Sequence, residues 1–400
     1  MTTATRARTH LTILVVLGSV HLLNDMMQSL IPAVYPILKE AYALDFVQIG
    51  IITMTFQLAG AMLQPLIGMA TDRHPLPYSP VIGMMFTLAG LVSLAFAHSY
   101  AVILLSVTLI GIGSSIFHPE ATRMARYAGE GRQGLAQGIF QVGGQAGGAL
   151  GPVFAALIIV PWGQSSLAWF ALTALLAMTL LAWIGSKQRQ ISAEFAAMRA
   201  AISKNSAATA QLAPLTIGIG LVVLTFLMFV KNAYNESFRS FYTFYLIDRF
   251  GLSVPSAQMM LFIFLLAAAV GVLIGGIVGD RIGRYRIIWI SVMGPLPLTL
   301  ILPYADLFWT GVLTIAINLI MASAFASILI YAIELLPNRI GLIGGLFYGL
   351  NFGLGGIAAA LLGVLADSYG IQTVYQICSF LPLAGLMIWF LPRIDEGIGS

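Results

Sequence analysis

Charge is scarce in this chain. Of 400 residues only 8% are Asp, Glu, Lys or Arg, against 59% hydrophobic, and the mean hydropathy is +0.93. A soluble domain has no means of hiding so much apolar surface, so the solvent of the folded chain is lipid. Cysteine is scarcer still: Cys378 stands alone in an apolar segment, which excludes a disulfide framework within the chain. Neither Gly-x-x-x-x-Gly-Lys nor His-Glu-x-x-His occurs, so the phosphate-cradling loop of ATP-driven proteins and the zinc-protease helix are both missing. The five histidines, at 10, 21, 74, 98 and 118, have no metal-ligand spacing. No cofactor, no metal and no enzymatic activity are expected.

What the chain has in abundance is apolar runs. Segments of about 20 residues, enough to cross a bilayer, are read at 11–38, 46–71, 79–98, 101–126, 134–160, 165–186, 214–247, 255–279, 286–303, 308–332, 340–366 and 371–391. Twelve successive spans with short connections satisfy their backbone in lipid only as helices. The start "MTTATRARTH" is basic and "LTILVVLGSV" resembles a signal core. No small-residue cleavage site follows, and this segment is expected to stay as the first membrane helix. The longest polar interruption, "SKQRQISAEFAAMRAAISKNSAATAQ", separates spans six and seven. It divides the chain into bundles at 1–186 and 214–400 joined by a cytoplasmic linker, 187–213.

The net charge of +4 points at first to an acidic partner such as a nucleic acid. The placement of the charges argues otherwise. Of the 19 Lys and Arg residues, Lys39 and Arg249 fall in outside loops and Lys231 and Arg239 within span seven. The remaining 15 sit at the cytoplasmic side if the N-terminus is inside, which places both termini in the cytoplasm. The expected partners are lipid, a small-molecule substrate and protons. The chain is expected to be monomeric, in a bacterial cytoplasmic (inner) membrane.

The halves repeat each other. "GRQGLAQGIFQVGGQAGG" from Gly131 aligns without a gap with "NRIGLIGGLFYGLNFGLG" from Asn338, and "GMATD" (68–72) matches "GIVGD" (276–280). An even number of spans separates the copies, so they share orientation. Parallel six-helix repeats with a site at their interface are a transporter architecture.

"GGIVGDRIGRYR", residues 275 to 286, resembles the signature of the major facilitator superfamily between the second and third helices of a half. Gly276, Asp280, Arg281, Gly283 and Arg284 match, and the first-half copy keeps Gly68, Asp72 and Arg73 before running into "HPLPY". The glycine admits a neighbouring helix, and the aspartate caps or pairs across the loop. Both copies are expected to form a gating latch. In span five, "GIFQVGGQAGGALGP" is similar to that superfamily's antiporter signature through Gly138, Gly147, Gly151 and Pro152, with Ala155 and Ala156 where the closing glycine pair belongs. Gly143, Gly147 and Gly151 recur at i+4, which permits close helix crossing. Gln137, Gln141 and Gln145 also recur at i+4. A ligand-facing stripe and a helix-to-helix hydrogen bond both fit it.

Charged groups inside a span cost roughly 2.5–3.5 kcal/mol on insertion scales and mark pathways. In span one, "HLLND" sets His21 and Asp25 on one face with Asn24 beside them. Counted from Leu11, Asp25 lies about 21 Å in, just past the midplane. In span four, "FHPEATRMAR" places Glu120 about 9 Å inside the inner boundary, within reach of Arg123 at i+3. Pro119 bends the helix there, and His118 titrates near neutral pH. His118, Glu120 and Arg123 are expected to form one protonatable cluster. In span seven, Lys231, Asn235 and Arg239 share a face and Glu236 another.

Whole stretches carry the resemblance further. "HLLNDMMQSLIPAVYPIL", "FHPEATRMA", "GLAQGIFQVGG", "YTFYLIDRFGLS" and "AIELLPNRIGLIGGLFYG" look like the fosmidomycin resistance proteins, a drug-exporting bacterial branch. That resemblance implies proton-driven efflux of small antibiotics, an anionic phosphonate among them. Asp25, Glu120, His118 and Glu236 are then the candidates for proton coupling, with position favouring Asp25. His21, Asn24, Arg123, Gln141, Gln145, Lys231, Asn235 and Arg239 are the candidate substrate contacts. A proton-coupled importer of a metabolite on the same fold is the alternative.

Overall fold

The computed structural model describes residues 3–73, 76–128, 133–190, 213–335 and 340–393, and these contain no strand. Eleven helical segments among them are long and apolar enough to cross a membrane, and Ser79–Ala95 is a shorter apolar helix at the place of the third expected span.

Packing divides the chain into two compact units, Met1–Ile37 with Thr55–Ala207, and Leu38–Met54 with Ala208–Ser400. Along the chain, α1 (Thr3–Ala33) is followed by α2 (Tyr35–Ala41), α3 (Phe46–Arg73), α4 (Ser79–Ala95), α5 (Tyr100–Ala128), α6 (Gln133–Phe154) and α7 (Ala171–Gln190), all of the first unit except most of α2 and the start of α3. Span one is thus two helices, because Pro36 lacks the N–H that would continue the ladder. After Pro152 the turn widens to a π-type segment, Ala155–Ile159. Linker residues 191–212 lie outside the described residues.

Close helix crossing in this unit depends on missing side chains. A Cβ at Gly143 would strike the backbone of Gly18, one at Gly147 the backbone of Leu22, and one at Gly151 that of Ser29. The i+4 glycine row of α6 is therefore the groove that receives α1, as small-residue rows in membrane helices allow. Gly83 against Gly113 and Gly90 against Ser106 do the same for α4 and α5.

The second unit holds α8 (Pro214–Phe250), α9 (Val254–Ile282), α10 (Arg284–Met293), α11 (Leu296–Ile301), α12 (Leu307–Ala322), α13 (Phe325–Leu335), α14 (Ile340–Tyr369) and α15 (Ile371–Cys378). Hydropathy reads spans nine and ten as continuous. The chain breaks the first at Gly294 and Pro295 and the second at Ser323 and Ala324. Gly283 joins α9 to α10 with φ 89°, a left-handed conformation that favours glycine. That is a backbone reason for one glycine of the repeated signature. Along α8 a row of buried aromatics carries the core: Phe238 stacks on Phe264 of α9 at 4.4 Å, and Tyr245 lies 4.1 Å from Tyr375 of α15.

The stretch 38–54 packs with this second unit for a specific reason. The Asp367 carboxylate accepts from the N–H groups of Phe46 (2.9 Å) and Val47 (2.7 Å). Those are two of the donors that a helix start leaves without partners, at its positive dipole end. A Cβ at Gly50 would also collide with the backbone of Ala359.

Candidate functional site

The polar residues of α1 lie on one stripe, His21, Asn24, Asp25 and Gln28, at the i, i+3, i+4, i+7 spacing of a helix face. His21 Nε2 lies 3.2 Å from Asp25 Oδ2, and His118 Nε2, on α5, lies 3.5 Å from Asp25 Oδ1. Asn24 Nδ2 donates to Asp25 Oδ1 at 3.0 Å. Two helices thus bring two imidazoles and one carboxylate to a single point.

Each ring is held from behind. His21 Nδ1 is 2.7 Å from the carbonyl oxygen of Phe140 on α6, and His118 Nδ1 is 3.0 Å from the carbonyl oxygen of Ser114. A carbonyl only accepts, so both Nδ1 atoms carry the hydrogen. The Phe140 ring stacks on His21 at 3.9 Å. The pocket exists because residue 144 is glycine: a Cβ there would stand 2.5 Å from His21 Nε2 and 2.8 Å from Asp25 Oδ2. Ser114 Oγ continues the polar row to Gln28 Oε1 at 3.3 Å.

His118 and Glu120 divide between two clusters. Residues two apart on a helix point about 200° apart, and while His118 meets Asp25, Glu120 pairs with Arg123 at 2.5 Å. That pair is buried, with 1% of Glu120 and 12% of Arg123 exposed.

In the second unit Lys231 is buried and its ammonium donates to Ser291 Oγ on α10 at 3.1 Å. Among the described residues no carboxylate pairs with it. Glu236 is buried too and accepts from Ser240 Oγ at 3.2 Å, while Ser240 in turn meets Thr53 Oγ1 at 3.2 Å. Asn235 is half-buried and Arg239 is exposed, so the three residues of the expected span-seven face differ sharply in environment. Gln141 and Gln145 are half-buried on α6. The side chains of Gln137, Asp72, Arg73 and Asp280, and the surroundings of Gly68 and Gly276, lie outside the described residues. Arg281 is exposed and Arg284 half-buried at the turn around Gly283.

Several site residues escape a reading by sequence. Ser114, Gln28 and Ser291 are ordinary polar residues there, and Phe140 acts through its carbonyl. Gln28 extends the α1 stripe and Ser114 precedes His118 by one turn, so helical periodicity was the available signal.

Comparison with known proteins follows the geometry. The family model of the Major Facilitator Superfamily matches residues 17–360 and 224–399. The chain is 52% identical over 391 residues to the fosmidomycin resistance protein of Escherichia coli (strain K12), covering 97% of this chain and 94% of that protein. It is 39% identical over 385 residues to the uncharacterized MFS-type transporter YfnC of Bacillus subtilis (strain 168), covering 95% and 92%. Among solved structures, the nucleoside transporter NupG superposes with a TM-score of 0.71 at 13% identity, covering 94% of this chain and 99% of that one. A bacterial homolog of the human lysosomal transporter Spinster gives 0.70 at 15%, covering 95% and 94%. The last two show the fold alone. The succession of apolar helices, the repeated signature and these matches together make the chain a multi-pass membrane transporter, not an enzyme, and a member of the major facilitator superfamily.

Proposed function

We propose that the chain exports small organic anions, phosphonates such as fosmidomycin among them, in exchange for protons. Lys231 is the observation that carries the substrate class. A buried ammonium whose hydrogen bond goes to a hydroxyl is costly in a low-dielectric interior. An anion with several acceptor oxygens supplies the missing charge, and Ser291 adds a second polar contact. The 52% identity to a protein named for fosmidomycin resistance supports the same class.

Export proceeds by alternating access between the six-helix halves, 1–186 and 214–400, with residues 187–213 as linker. The signature glycines and charges around Asp72 and Asp280 latch the cytoplasmic ends. The transporter is a monomer in the bacterial inner membrane with both termini in the cytoplasm. The resemblance implies the proton gradient as energy source, and Asp25, Glu120 and Glu236 are the carboxylates within the described spans where a proton can be held. His21, Asn24, Arg123, Gln141, Gln145, Asn235 and Arg239 line the substrate's route.

One observation favours the second reading, proton-coupled import of a small anion. Lys231 and Glu236 share α8. Protonating a buried carboxylate on the same helix removes negative charge from the field an anion meets, so proton and anion bind together, which is the sign of co-transport. Direction decides between the two. Everted vesicles with an acidic lumen should accumulate a labelled phosphonate, and an uncoupler should abolish the uptake. Accumulation only in right-side-out vesicles with acid outside would overturn export in favour of import.

A further inference from the structure

We propose that His21, Asp25 and His118 form a site for one divalent cation of the zinc class. The inference does not depend on the direction or the substrate of transport.

The argument begins with hydrogens. Because both Nδ1–H groups are donated to backbone carbonyls, Nε2 is the atom that each ring presents to the Asp25 carboxylate. At 3.2 and 3.5 Å from the carboxylate oxygens, these two nitrogens share with Asp25 a position that either protons or one metal ion can fill. A metal-bound histidine has this same outer arrangement, its second nitrogen donating to a carbonyl or carboxylate that fixes the tautomer and the ring plane.

The distances agree with the size of the ion. Zinc takes nitrogen and oxygen ligands at about 2.0–2.2 Å in a tetrahedron, whose edges are then roughly 3.3–3.6 Å. The two nitrogen–oxygen separations, 3.2 and 3.5 Å, lie close to that edge, and one ligand atom from each residue lies within 4.8 Å of the others. The two separations involve different oxygens, and rotation of the Asp25 carboxylate, which is 25% exposed, presents one oxygen to both nitrogens. Two imidazoles and one carboxylate favour zinc, cobalt or nickel over magnesium and calcium, which require oxygen-rich shells.

The surroundings are those of a built site. The Phe140 ring stacks on His21, Phe117 lies 5.9 Å from it, and the two imidazoles meet edge to face at 5.3 Å. Asn24 holds one oxygen of Asp25. His118 and Asp25 keep 13% and 25% of their surface open, which leaves an entry path and a fourth position for water. Sequence spacing hides the triad because its ligands come from α1 and α5, which neighbour each other only after folding.

The test uses the full-length protein in detergent, purified without a histidine tag and freed of metal, titrated with cobalt(II) as the probe. The expected result is one cobalt per chain with the intense ligand-field bands of four-coordinate cobalt, bleached by stoichiometric zinc. His21→Ala, His118→Ala and Asp25→Asn should each weaken cobalt binding by more than about 10-fold. His98→Ala, an exposed histidine outside the cluster, should bind as the parent does. A variant that elutes as an aggregate is replaced by the Gln substitution at the same histidine. Absence of the bands, or stoichiometric binding that survives all three ligand substitutions, overturns the proposal.

Discussion

Arg123 Nη2 sits 2.5 Å from Glu120 Oε2 one turn away on α5, and the pair is almost wholly buried. Breaking a buried ion pair by removing one partner typically costs about 3–5 kcal/mol, whereas removing both charges costs far less. Glu120→Gln should therefore destabilise the purified protein by about that amount, despite its nearly unchanged volume. The double variant Glu120→Gln/Arg123→Gln should recover much of the loss. Thermal or denaturant unfolding in detergent measures both. A single variant as stable as the parent would show that the pair is a dispensable surface contact.

The glycines of α6 separate by geometry although they share a sequence pattern. Gly143, Gly147 and Gly151 abut backbone atoms of α1, while a Cβ added at Gly138 or Gly148 would have nothing within 4 Å. Alanine at any of the first three has to push two helices apart, and overpacking costs about 1–3 kcal/mol. Alanine at 138 or 148 should leave both folding and expression at parental levels. Comparing the five variants by unfolding midpoint tests the assignment, and equal losses at all five positions would refute it.

Asp367 caps α3 from the end of α14, holding the N–H groups of Phe46 and Val47. Loss of a helix cap costs roughly 0.5–2 kcal/mol. Asp367→Ala should fall in that range, and hydrogen exchange at the amides of residues 46 and 47 should accelerate against an unchanged background. Unaltered exchange there would mean that the cap contributes nothing.

Much of this architecture was legible beforehand, because lipid leaves so few options. Hydropathy located the spans to within a few residues, since an apolar helix satisfies its own backbone in a bilayer. It missed the breaks at Gly294–Pro295 and Ser323–Ala324, where neighbouring helices make tolerable what an isolated helix would avoid. The i+4 glycines of α6 announced a close crossing, but only the fold reveals α1 as the partner. The site was harder. Adjacency in sequence joined His118 to Glu120 and Arg123, and the helical turn sends His118 to Asp25 instead. Lys231 was visible as a charge within a span. That its neighbour would be the Ser291 hydroxyl rather than an acid depended on α10, far away in sequence.

The proposed orientation has a clean experimental handle. Cys378 is the sole cysteine and only 1% exposed, so one introduced cysteine is the main reactive thiol without further engineering. Lys187→Cys, at the cytoplasmic end of α7 in this topology, should resist an impermeant thiol reagent in intact cells and react after permeabilisation. Labelling in intact cells would invert the topology.

Lys231 yields the prediction that best separates function from structure. Its ammonium is buried and hydrogen-bonded to Ser291 Oγ, with no carboxylate partner among the described residues. A lysine kept for packing should be missed when it is replaced. A lysine kept to meet an anion should instead be a burden to the empty protein, because its charge is desolvated without compensation. Lys231→Met keeps the length of the side chain and removes the charge. It is expected to raise the unfolding midpoint while reducing phosphonate transport at least about tenfold, a loss of about 1.4 kcal/mol or more in substrate interaction. Lys231→Arg, which preserves the charge but forks it differently, should retain part of the transport and none of the added stability. Gain in stability and loss of transport moving together would mark Lys231 as a substrate residue. A Met variant that loses stability and still transports phosphonates normally would assign the lysine to the scaffold, and with it would fall the argument for an anionic substrate.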